Sequence, residues 1–233
     1  MSLSKLKSTA QLGTLNGCKV LCYGNSGTGK TRLIASAPAP IILSAEKGLL
    51  SLRQFNLPAW EIKTLADLVE AYNWLKSSAE ARQFATVAVD SASDVAEVLL
   101  NAELRATTNG QRAYGQMADK LVGILRDFRD LDGKNVLFIA KQEYSADGVT
   151  GAKMFQPSFP GKQLSQQVPY FFDEVFQLHN FGKDEHGRES RWLRTQPDAQ
   201  NQAKDRSGAL EPWENADPAT GGGLTTIFNK MIG

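Results

Sequence analysis

Eight consecutive residues, Gly24-Asn25-Ser26-Gly27-Thr28-Gly29-Lys30-Thr31, fit the pattern G-x-x-x-x-G-K-[ST] at every constrained position. Glycines at this spacing let the backbone turn tightly and aim successive N–H groups at phosphate oxygens, with the positive end of the following helix behind them. Lys30 reaches the β- and γ-phosphates as a compact cation, and the Thr31 hydroxyl takes one Mg²⁺ coordination position while the triphosphate fills others. A Gly/Ser-rich turn with a stray lysine is the bland alternative. It does not account for four fixed positions lying between a strand and a helix. Two carboxylates join the set from further along the chain. Glu46 follows the apolar run Ile41-Ile42-Leu43-Ser44-Ala45, and Asp90 closes the run Ala85-Thr86-Val87-Ala88-Val89. A carboxylate after an apolar strand is the form of a Walker B element, so Asp90 is the candidate Mg²⁺ partner opposite Thr31, with Ser91 extending its hydrogen bonds.

These residues need a parallel sheet to bring them together. Lys19-Val20-Leu21-Cys22-Tyr23 reads as the strand entering the glycine loop, and Arg32-Leu33-Ile34-Ala35 as the first turns of a helix ended by Pro38 and Pro40. Strands are expected at 41–45, 59–63, 85–90 and 135–140. A helix carrying Leu65, Leu68, Val69, Tyr72 and Leu75 should pack its stripe on the core. Two longer helices are expected, from about Ser93 to Arg105 and from about Tyr114 to Leu131, broken at Thr107-Thr108-Asn109-Gly110. From Ser145 to Gln167 the pattern fails, and a loop of that length is usually functional or disordered. Phe171 to Leu178 and Ser190 to Thr195 then read as an antiparallel hairpin, and Leu224 to Ile232 as a short amphipathic end beyond Gly221-Gly222-Gly223. The expected fold is α/β: a mostly parallel sheet flanked by helices, with a C-terminal antiparallel hairpin. Its expected parts are an N-terminal arm (1–16), in which Leu12 and Leu15 could fold back onto the sheet, a P-loop domain (17–210) and a C-terminal tail (211–233).

The 233 residues are enough for one such domain with a full core. The 26 basic and 25 acidic side chains nearly cancel, so a nucleic-acid surface has to come from local clustering. No run reaches the length of a membrane span, and Met1 to Lys7 lacks the apolar centre of a secretory signal, so no membrane partner and a cytoplasmic location are expected. Cys18 and Cys22 lie on or beside the first strand, and His179 and His186 complete a set too sparse for a metal centre.

The order of pieces, from P-loop strand through Ala45-Glu46, Val89-Asp90-Ser91, two helices, the strand ending near Gln142 and a hairpin to Lys204-Asp205-Arg206-Ser207-Gly208, resembles the core of RecA-type ATPases. More narrowly, it is similar to small phage-encoded ATPases associated with single-strand annealing and recombination. The resemblance implies ATP and Mg²⁺ as cofactors and Glu46 as the carboxylate that polarises the attacking water. It implies a γ-phosphate sensor at Gln142, or at Lys141 one position earlier, that reports to a DNA-binding loop within 145–167. It also implies that Lys204 and Arg206 are projected into a neighbour's site, where cations stabilise phosphoryl charge. The implied partners are single-stranded DNA, further copies of the chain in a ring or filament, and a single-stranded DNA-binding protein, with the host cytoplasm as location for a phage-encoded chain. The family's N-terminal oligomerisation domain has no counterpart, which leaves residues 1–16 or the tail as the expected assembly contact.

Arg105, Arg112 and Lys120 near the first loop, with Tyr144, Lys153, Phe155, Phe159 and Lys162 near the second, suit a groove that neutralises phosphates and stacks bases. Phe155 and Phe159 equally suit pinning a long loop to the body while the lysines are solvated. Glu46 also has a bland reading as a helix N-terminal acid, and Asp90 as a helix cap. A nucleotide-switched interaction protein without DNA binding and a ring-helicase-like motor are the competing functions.

Overall fold

The computed structural model describes residues 8, 17–46, 48–146 and 151–232, apart from the side chain of Lys162. The arm, with Leu12 and Leu15, and Gly148 of the second loop lie outside these residues. The first strand, β1 (Lys19–Gly24), is buried along its whole length. It pairs in parallel with β5 (Asn135–Ala146) on one side and β7 (Glu174–Lys183) on the other. Beyond β5 come β4 (Thr86–Asp90), β2 (Pro40–Ser44) and β3 (Ala59–Glu61), all parallel. Beyond β7 the sheet turns antiparallel through β8 (Glu189–Arg194) and β10 (Trp213–Asn215). The order is β10-β8-β7-β1-β5-β4-β2-β3, with β6 (Lys153–Pro157) on β5 and β9 (Lys204–Asp205) on β7. This is the mostly parallel α/β arrangement with antiparallel C-terminal strands that the sequence predicts.

Alternate residues of each strand feed two cores, because successive side chains point to opposite faces. On one face Leu21, Tyr23, Val89 and Phe138 meet α2 (Leu65–Ser77), α3 (Ala92–Ala106) and α4 (Gly110–Arg129). On the other, Val20, Cys22, Ile139 and Phe176 meet α1 (Lys30–Leu33), its 3₁₀ continuation Ile34–Ser36 and α6 (Leu224–Ile232). Cys18 and Cys22 are free thiols within this second core, and burial pushes both up to about 12.

Local signals explain the boundaries. Thr64 and Asp67 form a reciprocal capping box at the start of α2. The Asn109 side chain accepts from the Arg112 N–H at 3.1 Å, which starts α4 four residues before the apolar periodicity becomes visible at Tyr114.

Three stretches differ from expectation. The described residues of 145–167 are not a featureless loop: β5 leaves the sheet after Lys141 and pairs with β6 from Gln142–Pro157 to Ala146–Lys153, and α5 (Lys162–Gln167) follows. Alternation with glycine and proline on both sides masked this ribbon. The helix after the glycine loop is a single turn and a 3₁₀ turn. The C-terminal stretch carries β10 on the sheet and α6, whose Leu224, Ile227 and Phe228 are fully buried.

Candidate active site

All the chemistry-bearing strand ends of the parallel sheet open into one cleft of about 550 Å³. Its floor is the glycine loop. Gly27 (φ 78°) and Gly29 (φ 97°) hold left-handed backbone that L side chains rarely adopt, and Gly29 carries the chain into α1. A side chain at Gly24 would meet the Leu178 carbonyl at 2.7 Å. Because α1 is so short, its dipole adds little, and the loop N–H groups and Lys30 carry the anion binding. Lys30 Nζ donates to the Gly24 and Asn25 carbonyls at 2.8 Å each. Burial lowers its pKa, offset in part by Asp90 and Glu46.

Thr31 Oγ1 donates to Asp90 Oδ2 at 2.7 Å. Asp90 is 3% exposed, and burial pushes its pKa up to about 6, opposed by the Thr31 hydrogen bond and aided by nearby Glu46. The helix-cap alternative for Asp90 falls away, since the cap of α3 is Ser91, whose hydroxyl accepts from the Asp94 N–H at 3.2 Å. An adjacent hydroxyl and carboxylate form an all-oxygen donor pair suited to a hard cation. Among the described residues no cluster of three or more His, Cys, Asp or Glu is placed to hold a metal ion. Thr31 and Asp90 therefore fit Mg²⁺ brought in with phosphate oxygens and water, and do not form a protein cage. When bound, that ion would neutralise phosphate charge.

Glu46 lies two residues past β2, fixed by its own N–H donating to the Asp90 carbonyl at 3.3 Å and its carbonyl accepting from Ser44 Oγ at 2.6 Å. It lines the cleft. Its carboxylate has no hydrogen-bond partner among the described residues, and the helical turn that follows starts only at Leu49. Lys141 and Gln142 go different ways. Lys141 Nζ pairs with Asp94 (2.7 Å) and Glu97 (3.1 Å) of α3; burial opposes its charge, but the two carboxylates prevail and raise its pKa. Gln142 Nε2 donates to Asn25 Oδ1 at 3.0 Å, and its Oε1 accepts from Gln177 Nε2 at 3.0 Å. Of the two sensor candidates, Gln142 is the one whose side chain hydrogen-bonds the glycine loop, whereas Lys141 adjoins it as the strand partner of Gly24.

Lys204 and Arg206 stand elsewhere. Strand β9, which holds Lys204 and ends just before Arg206, pairs with the start of β7, at the opposite end of the sheet from Gly24. Lys204 Nζ donates to the Phe172 carbonyl, and Arg206 pairs with Asp173 at 2.7 Å. Of the groove residues, Phe159 is buried in the core and Lys120 pairs with Glu103, whereas Lys153 lies 4.8 Å over the exposed Tyr144 ring on the β5–β6 ribbon.

One cleft residue escaped the sequence reading. Arg191 of β8 donates from Nε to the Thr28 carbonyl at 3.1 Å and lies over Gly29, where a Cβ would meet its Nε at 2.5 Å. The signal was strand alternation: Arg191 shares a face with the buried Leu193, which pairs with Leu178 beside the glycine loop.

No curated protein matches the chain. A family model described as an AAA domain matches residues 16–207, from just ahead of β1 to just past β9. That span holds the glycine loop, Glu46, Asp90, Gln142 and Arg191, and the chain belongs to this family of nucleotide-binding P-loop ATPases.

Proposed function

We propose that the protein is an Mg²⁺-dependent ATPase that acts on single-stranded DNA in recombination or strand annealing. The observation that carries the ATPase part is the convergence of Lys30, Thr31, Asp90, Glu46 and Gln142 on one cleft. Lys30 and the loop N–H groups hold the β- and γ-phosphates. Thr31 and Asp90 face the metal, and Glu46, whose carboxylate has no hydrogen-bond partner among the described residues, orients and deprotonates the attacking water. The DNA part is supported by the β5–β6 ribbon. Gln142 at its base touches Asn25, and its outer part carries the Lys153–Tyr144 pair with Phe155 packed edge-on at 6.4 Å from Tyr144. A base-stacking and phosphate-neutralising element thus begins where the γ-phosphate would be sensed.

In this reading the active site is completed in an assembly of copies. Lys204 and Arg206 lie away from their own cleft, as cations offered to a neighbour must. To reach it they would exchange the Phe172 carbonyl and Asp173 for phosphate.

The deciding experiment is steady-state ATP hydrolysis with Mg²⁺, with and without single-stranded DNA, at low and moderate salt. Strong stimulation that fades as salt rises is expected, because DNA contacts release counterions. Slow hydrolysis indifferent to DNA would overturn the DNA role and favour a nucleotide-switched interaction protein. Loss of nucleotide binding in Lys30→Ala is the control for the cleft.

A further inference from the structure

Beside the phosphate cleft lies a second, smaller cavity of about 240 Å³. Its walls are apolar: Leu33 of α1, Phe55, Leu178 of β7, and Ala216, Pro218 and Ala219 of the turn that follows β10. The cleft and this slot share Gly29, Arg32 and Arg191, so they form one continuous depression with Arg191 at the divide. Another cavity bordering the cleft, between β2 and β3, shares only Glu46 with it, on the side of the γ-phosphate.

We propose that the slot between α1, Phe55 and the 216–219 turn takes a purine base, so that the segment after residue 211 forms one wall of the nucleotide site. This rests on the nucleotide-binding reading and extends it. A triphosphate on the glycine loop places its γ end toward Glu46 and Asp90, and its ribose must leave from the other end. The slot is an apolar cavity on that side, and a flat base buries its faces against Phe55, Leu33 and Pro218. Phe55 is 39% exposed, an aromatic face open to such a partner.

Asp217 supplies polarity at the rim. Its Oδ1 accepts from the Ala219 N–H at 2.9 Å, which leaves Oδ2 to accept from an exocyclic amino group of the base. Arg191, with Nε on the Thr28 carbonyl and Nη2 3.6 Å from Glu189 Oε2, sets its guanidinium at the divide, where it can meet the phosphates nearest the ribose. The turn is held in place from behind. Ser36 Oγ accepts from the Leu224 N–H at 2.9 Å, Thr225 Oγ1 donates to the Ser36 carbonyl at 2.7 Å, and Lys230 pairs with Glu214 at 2.7 Å. Glu214, the 216–219 turn, Leu224, Thr225 and Lys230 lie beyond 16–207, so this wall belongs to the C-terminal segment and not to the matched domain, which supplies Ser36 and the facing wall.

The test compares binding of Mg²⁺ complexes of ATP, GTP, UTP and inorganic tripolyphosphate to the full chain and to two variants, by calorimetry. Ala219→Trp fills the slot from an exposed position, and Asp217→Asn removes the charged acceptor. The wild-type protein should bind ATP or GTP about tenfold or more tighter than tripolyphosphate or UTP. Ala219→Trp should abolish that margin and leave tripolyphosphate binding unchanged. Asp217→Asn should weaken the preferred purine nucleotide about threefold to tenfold while tripolyphosphate again stays the same. The purine that binds more tightly identifies the base. A purine margin that survives Ala219→Trp, equal loss of all four ligands in that variant, or UTP binding as tight as the purines overturns the assignment while leaving the phosphate cleft intact. Wild-type protein that binds neither ATP nor tripolyphosphate overturns the nucleotide reading itself, and the slot assignment falls with it.

Discussion

At the carboxyl ends of the parallel strands, Lys30, Glu46, Asp90, Lys141 and Arg191 arrive from five different elements and border one cleft. At the amino ends the same residue types occur, but they are matched locally. Lys19 Nζ donates to the Leu131 and Lys134 carbonyls at 3.0 and 2.7 Å, Arg206 pairs with Asp173, and Glu174 Oε1 accepts from the Arg206 and Ser207 N–H groups at 3.2 and 3.1 Å. The difference is one of geometry. Parallel strands finish together with their loops diverging around a space, so charges there border room for a ligand even where, like Lys141 with Asp94 and Glu97, they also have protein partners. At the other end the chain doubles back through β9, and its own backbone fills the space.

The largest expected effect tests whether the amino end is only structural. If Arg206 completes a neighbour's site, Arg206→Ala lowers turnover of the assembled protein by roughly 10³-fold or more, and mixing it with Lys30→Ala restores activity. A defect that mixing fails to relieve between co-assembled variants, accompanied by a lowered melting temperature, returns Arg206 to Asp173 alone. Next comes Glu46→Gln, which should retain ATP binding while hydrolysis falls by about 10²–10⁴-fold. Normal single-turnover cleavage in that variant removes Glu46 from the chemistry.

Arg191→Ala should weaken ATP binding by about 10–100-fold, as loss of a charged hydrogen bond to phosphate predicts, and mixing with Lys30→Ala should not rescue it because it acts within its own chain. The smallest effect is on stability. Glu174 is buried, its Oε2 without a hydrogen-bond partner among the described residues, and burial, with Asp205 beside it, raises its pKa from 4.5 to about 8. The folded state then binds a proton that the unfolded state releases, so stability is fully present below about pH 4.5 and declines as pH rises toward 8. Glu174→Gln should flatten that decline and stabilise the protein at pH 8 by roughly 1–3 kcal/mol, read from denaturant unfolding across the range.

Much of the site was legible in sequence because its residues are punctuated by strong local signals. Glycines and Lys30-Thr31 mark the loop, and Glu46 and Asp90 sit just after continuous apolar runs that can only be buried strands. The sheet followed from the same runs. Arg191 and the β5–β6 ribbon were harder, since their partners are distant in sequence. Arg191 acquires meaning only when β8 folds beside β7, and the ribbon only when Tyr144 meets Phe155 across it. The C-terminal segment was illegible for a related reason: nine residues of helix reveal an apolar stripe but not that the stripe closes over α1.

The two thiols of the first core strand have a practical consequence. Cys18 and Cys22 are 4% and 0% exposed, and burial holds both at about 12, so almost no thiolate exists at neutral pH while the strand stays covered. Alkylation of these sulfurs therefore counts openings of the central strand and is blind to loop motion. Any nucleotide that binds only the closed sheet must slow that reaction in step with its occupancy, which turns two unremarkable side chains into a built-in clock for ligand-linked stability.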